Sequence, residues 1–134
     1  MIVVHHNPNC GTSRNVVAIL RAAGYEPEII DYITEGWTRP QLLGLLAAAN
    51  LTPREALRTT KSPAKELGLL EDSVSEDEIF KQMLEHPVLV NRPLVCSPNG
   101  VKLCRPSEAV LNMIDNHPPE NFRKEDGEPL NLTK

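Results

Sequence analysis

Cys10 stands where two sequence patterns meet. The extended run Ile2-Val3-Val4-His5-His6 ends in Asn7-Pro8-Asn9, and beyond the cysteine Val16, Ile19, Leu20 and Ala23 recur at helical spacing. A sulfur at that junction lies over the first turn of a helix, whose unpaired backbone N–H groups and positive dipole end favour an anion. Thiolate is the reactive form of cysteine, and such positions bring a thiol pKa from about 8.5 into roughly the 3.5–7.5 range. A small buried cysteine beside a turn is the bland reading, and it suits apolar neighbours. Here Gly11, Thr12, Ser13 and Arg14 surround the sulfur with donors and positive charge. His5 and His6 alternate faces of the strand, so one of them can turn toward Cys10, where an imidazole would further favour thiolate. His6 is the candidate, and His5 reads as a strand residue satisfied by backbone.

Two arginines supply the second chemical signal. The segment Ser97-Pro98-Asn99-Gly100 carries Pro and Gly at favoured turn positions of a hairpin. Pairing Ser97 with Gly100 sets Cys96 opposite Val101, Leu94 opposite Leu103 and Arg92 opposite Arg105. Like charges across a ladder are destabilising, so both side chains must splay into water or share an anion. Beside a nucleophilic Cys10 the shared anion is the better account, because guanidinium forks match tetrahedral oxyanions bidentately. A phosphatase loop of the Cys-x5-Arg type would need arginine at the place of Val16, and no Gly-x4-Gly-Lys phosphate loop occurs.

The elements that must position these groups are legible as patterns. Residues 1–32 read as strand, helix, strand, with Gly24 closing the helix. A helical stretch follows, begun by Thr38 ahead of Pro40, by Thr52-Pro53-Arg54-Glu55 and by Ser75-Glu76-Asp77-Glu78; the last two have capping-box spacing. Extended chain is expected at Val88-Leu89-Val90 after His86-Pro87, then the hairpin, then a final helix from about Ser107 through Ile114. From residue 116 the chain is polar and interrupted by Pro118, Pro119 and Pro129, which predicts a poorly anchored tail.

Length and composition set the class. The 134 residues, 40% hydrophobic, suit one globular domain. A net charge of -4 argues against nucleic acid as the main partner, so any anion site is local. No apolar run approaches the ~20 residues of a membrane span and no signal-peptide layout opens the chain, so a cytoplasmic protein with no membrane partner is expected. Three cysteines, Cys10, Cys96 and Cys104, with no Cys-x-x-Cys pair indicate neither a disulfide framework nor a metal site.

His6-Asn7-Pro8-Asn9-Cys10-Gly11-Thr12-Ser13-Arg14, Asn91-Arg92-Pro93 and Leu103-Cys104-Arg105-Pro106-Ser107-Glu108 together resemble the glutaredoxin-linked arsenate reductases. The likeness extends over nearly the whole chain, through His86-Pro87 and Lys124-Glu125-Asp126-Gly127-Glu128. It implies an α/β, thioredoxin-like mixed sheet built as βαβ then ββα, a helical insertion at about 36–86, a polar tail at about 116–134 and a cis peptide before Pro93. It also implies that Cys10 attacks arsenate, that Arg58, Arg92 and Arg105 hold the oxyanion, and that His6 assists thiolate formation. Asn7, Thr12 and Ser13 are further donors to the sulfur or the oxyanion. Glutathione as co-substrate and glutaredoxin as partner would complete the reduction to arsenite, with no bound cofactor. Ser13 occupies the place of the second cysteine in a redox Cys-x-x-Cys, which supports an external reductant and leaves Cys96 as a resolving or adventitious thiol. Two rival readings keep the same fold. One is a glutathione mixed-disulfide reductase with incidental arsenate activity. The other is a non-enzymatic regulator that binds RNA polymerase through a Cys-x-x-Cys switch, against which Ser13 and the arginines argue.

Overall fold

Alternation along the first strand decides which side of the sheet receives the cysteine helix. In the computed structural model, which describes residues 1–132, β1 (Val3–His6) buries Val4 beneath α1 (Gly11–Ala22). Strand residues two apart share a face, so His6 lies on the helix side. His5 lies on the other side, opposite Leu94 in the register. The helix answers with Val16, Val17, Ile19 and Leu20, which join Ile2, Val4, Val95, Cys104, Val110 and Met113 in one apolar cluster. Gly24 stops α1 at φ +95°: its N–H donates to the Arg21 carbonyl and that of Tyr25 to the Leu20 carbonyl, the paired bonds of a Schellman ending.

β2 (Glu28–Asp31) returns parallel to β1, completing the expected βαβ unit. The sheet order is β2-β1-β3-β4, with β3 (Leu94–Ser97) antiparallel to both β1 and β4 (Gly100–Leu103). This mixed sheet is of the thioredoxin-like class. The hairpin register is the one read from the turn: Ser97 pairs with Gly100, Cys96 with Val101 and Leu94 with Leu103. The peptide before Pro93 is cis, as the resemblance implies, and so is the one before Pro106.

Two compact units divide the described chain, one of residues 1–31 with 92–132, the other of residues 32–91. The second unit contains α2 (Tyr32–Glu35), α3 (Arg39–Ala48), α4 (Pro53–Ala56) and α5 (Glu76–Glu85). Reciprocal capping boxes open α3 between Thr38 and Gln41 and α4 between Thr52 and Glu55. Ser75 caps α5 from one side only: its hydroxyl accepts the Glu78 N–H at 3.1 Å, while the Glu78 carboxylate accepts from Gln82 Nε2 at 2.9 Å one turn on. The stretch expected to be extended at Val88-Leu89-Val90 is instead a 3-10 turn at Pro87–Leu89. The His86 and Pro87 carbonyls capture the Leu89 and Val90 N–H groups, and Val90 makes only an isolated bridge to Leu57.

The last helix is also tighter than its spacing suggested, a 3-10 segment at Ser107–Met113. Beyond it, residues 116–132 form neither helix nor strand, yet this tail is tied down. Phe122 and Leu130 pack against the apolar cluster of the sheet unit, and Glu108 takes Lys124 Nζ at 2.9 Å and the Asn131 N–H at 2.8 Å. No helix among the described residues is long and apolar enough to cross a membrane.

Candidate active site

Cys10 is the N-cap of α1, with extended backbone at φ -110° and ψ 122°. Its carbonyl accepts the Arg14 N–H, while its own N–H donates to Asn7 O at 3.0 Å, so the loop folds back and seats the sulfur on the helix start. Asn7 shapes that loop instead of meeting the sulfur: its side-chain oxygen accepts the Asn9 N–H at 2.9 Å, and its own N–H reaches Ser13 Oγ at 3.5 Å. Ser13 is fully buried on the first turn of α1, where its backbone N–H and hydroxyl favour the thiolate of Cys10. Thr12 is half-buried on the first turn of the same helix.

Burial of Cys10 pushes its pKa up, but this is outweighed. The Ser13 backbone and hydroxyl, the Arg92 charge and a hydrogen bond from Arg105 together lower it from 9.0 to about 7. Arg105 Nη1 lies 3.7 Å from Cys10 Sγ and donates at 3.0 Å to the Arg92 carbonyl. The two arginines that the hairpin arithmetic set opposite one another touch just past the last ladder pair Leu94–Leu103, the Arg105 guanidinium on the Arg92 carbonyl; Arg105 also reaches the sulfur, and the Arg92 charge acts on it.

Other thiols lack these supports. Cys104, fully buried against Met113, is pushed up to about 12 by burial, and Cys96 is raised by the same cause. A single activated sulfur among three free thiols results.

His6 has no hydrogen bond to Cys10. Its ring lines a shallow recess with Arg14, Val17, Ala18, Arg21 and Ile29, and its buried Nδ1 has no hydrogen-bond partner among the described residues. Burial lowers its pKa, Asp31 opposes, and Arg14 and Arg21 lower it further. Arg58 belongs to the helical unit, just past α4. It is 9% exposed, with Nε on the Thr60 carbonyl at 3.0 Å and its N–H on Leu89 O at 2.8 Å.

One contact of the nucleophile loop had no signal in the residue types. Arg14 donates through Nε and Nη2 to both oxygens of Glu125, each at 2.9 Å, across 111 positions of chain.

Residues 5–113 match the model of the ArsC family. The chain is 64% identical over 128 residues to the arsenate reductase ArsI2 of Synechocystis sp., covering 96% of this chain and 91% of that protein. It is 46% identical over 129 residues to an arsenate reductase of Escherichia coli, with 96% and 92% covered. Among solved structures, an arsenate reductase from Vibrio cholerae superposes with a TM-score of 0.78 at 33% identity, over 84% of this chain and 97% of that one.

Proposed function

The chain belongs to the ArsC family, and on that premise we propose that it reduces arsenate to arsenite at Cys10, with glutathione and glutaredoxin as the source of electrons. The observation that carries the reading is the convergence of an activated thiol with two guanidiniums, since a nucleophile that must attack an anion needs both. Arg92 and Arg105 are the forks for the oxyanion. Arg58 as a third fork and His6 as an aid to thiolate formation rest on the family resemblance alone.

In this mechanism the Cys10 thiolate attacks arsenic and one oxygen leaves as water after taking two protons. A glutathione thiolate then attacks the Cys10 sulfur; the S–As bond breaks, and its electron pair stays with arsenic, which becomes trivalent. Glutaredoxin removes glutathione from Cys10 by thiol–disulfide exchange and restores the free thiol. Overall, arsenate and two thiols give arsenite, one disulfide and water. Ser13 supports the external route, because no second thiol stands one helical turn from Cys10. We further read the protein as cytoplasmic, where such thiols are kept reduced.

The experiment is arsenate-dependent NADPH oxidation with glutathione, glutaredoxin and glutathione reductase present. Turnover that needs arsenate and all three components is the expected result. Equal turnover with a simple mixed disulfide in place of arsenate would favour the mixed-disulfide reductase, and no turnover at all would overturn the proposal.

A further inference from the structure

Arg14 holds a carboxylate within one residue of the nucleophile. Its Nη1 is fixed on the Pro8 carbonyl at 2.7 Å, which leaves Nε and Nη2 as a planar fork, and both oxygens of Glu125 fill it. The Glu125 N–H also donates to Asn15 Oδ1 at 2.9 Å, so the tail is pinned to the first turn of α1 at two points. Gly11 makes room: a Cβ there would stand 3.0 Å from Glu125 Oε1 and 3.7 Å from Arg14 Nη2. The carboxylate thus lies directly against the residue after Cys10.

A simple tail clip would explain the pairing, but it would not account for the fork opening against Gly11, the residue next to the nucleophile. The side chains of the pair are 46% and 44% exposed, and ion pairs so open to solvent are weak, so the carboxylate is readily exchanged. Glutathione carries a free carboxylate on each side of its thiol. A glutathione sulfur reaching Cys10 therefore brings a carboxylate to about one residue's distance, and the carboxylate held by Arg14 lies against Gly11, the next residue after Cys10.

We propose that Arg14, beside Gly11, is the subsite for a carboxylate of glutathione, and that Glu125 occupies it in the resting protein as an internal competitor. This rests on glutathione being the reductant. An arginine fork reads a carboxylate bidentately, and an occupant tethered to the same chain raises the apparent KM of any ligand that must displace it.

Steady-state kinetics of arsenate reduction against glutathione concentration test the subsite. Glu125→Gln should lower the KM for glutathione about threefold or more, and Arg14→Gln should raise it about tenfold. With 2-mercaptoethanol, which has no carboxylate, Glu125→Gln should leave the KM for thiol unchanged. Thermal melts should show both variants folded: Glu125→Gln loses one exposed pair, and Arg14→Gln loses that pair and an exposed hydrogen bond to the Pro8 carbonyl. Wild-type protein without glutathione-dependent turnover would overturn the reading of the reductant and the subsite with it. Glutathione-dependent turnover whose KM is unmoved in Arg14→Gln, or is raised in Glu125→Gln, would overturn the subsite alone.

Discussion

At the scale of single residues, the three thiols separate by surroundings and not by intrinsic chemistry. Cys10, at about 7, should be alkylated by iodoacetamide with a rate that rises through neutral pH and levels off above it, because only the thiolate reacts. Mass mapping at pH 7.5 should find the label on Cys10, with Cys104 untouched in the folded protein. Cys10→Ser should fold and show no detectable turnover. His6 has no hydrogen bond to the sulfur, so His6→Ala tests the part in thiolate formation that the resemblance implies: an alkylation midpoint that rises would support that part, and one left in place would remove it. Arg92→Lys and Arg105→Lys keep the charge and lose the fork, so each should cut kcat/KM for arsenate by about one to two orders of magnitude. Unchanged arsenate kinetics in both would remove the oxyanion role.

At the scale of elements, local rules read well wherever local bonds decide the outcome. The Cys10–α1 junction, the Gly24 stop, the Thr52 box and the hairpin register were all legible, because each depends on residues no more than a few positions apart. Through the register, so was the meeting of Arg92 with Arg105. Reading failed where two local bonds compete. Pro87 fixes a backbone angle that suits a 3-10 turn as well as a strand, and the Leu89 and Val90 N–H groups closed the turn. Glu78 had a reciprocal cap within reach and was taken by Gln82 instead. Arg14–Glu125 was illegible, because no local pattern announces a bond across 111 positions. The caps give a direct test. Thr52→Ala removes the acceptor for the Glu55 N–H and should lower stability by about 1 kcal/mol, with Thr52→Ser restoring most of it. Chemical denaturation of the three proteins measures the difference.

At the scale of the whole molecule, the tail is held by charge as much as by apolar contact. Burial of Glu108 raises its pKa, but Lys124 and the Asn131 N–H outweigh this and lower it from 4.5 to about 2. A carboxyl whose pKa falls on folding adds stability above about pH 4.5 and loses it as pH drops toward 2. Here that amounts to something on the order of 3 kcal/mol. Unfolding midpoints of the wild type should therefore decline steeply between pH 5 and pH 3, and Glu108→Gln should start lower and decline less. Parallel declines would mean that the Glu108 clasp does not stabilise the fold. The isolation of Cys10 among three free thiols bears on a hazard of the chemistry itself. Trivalent arsenic is soft and thiophilic, and two or three thiolates closing on it hold it far longer than one. A catalyst that generates such a product at its own sulfur invites self-poisoning by chelation. With a hydroxyl at Ser13, Cys104 sealed among apolar side chains and the Cys96 thiol pushed up by burial, no pincer of thiolates closes around the newborn arsenite as its bond to Cys10 breaks.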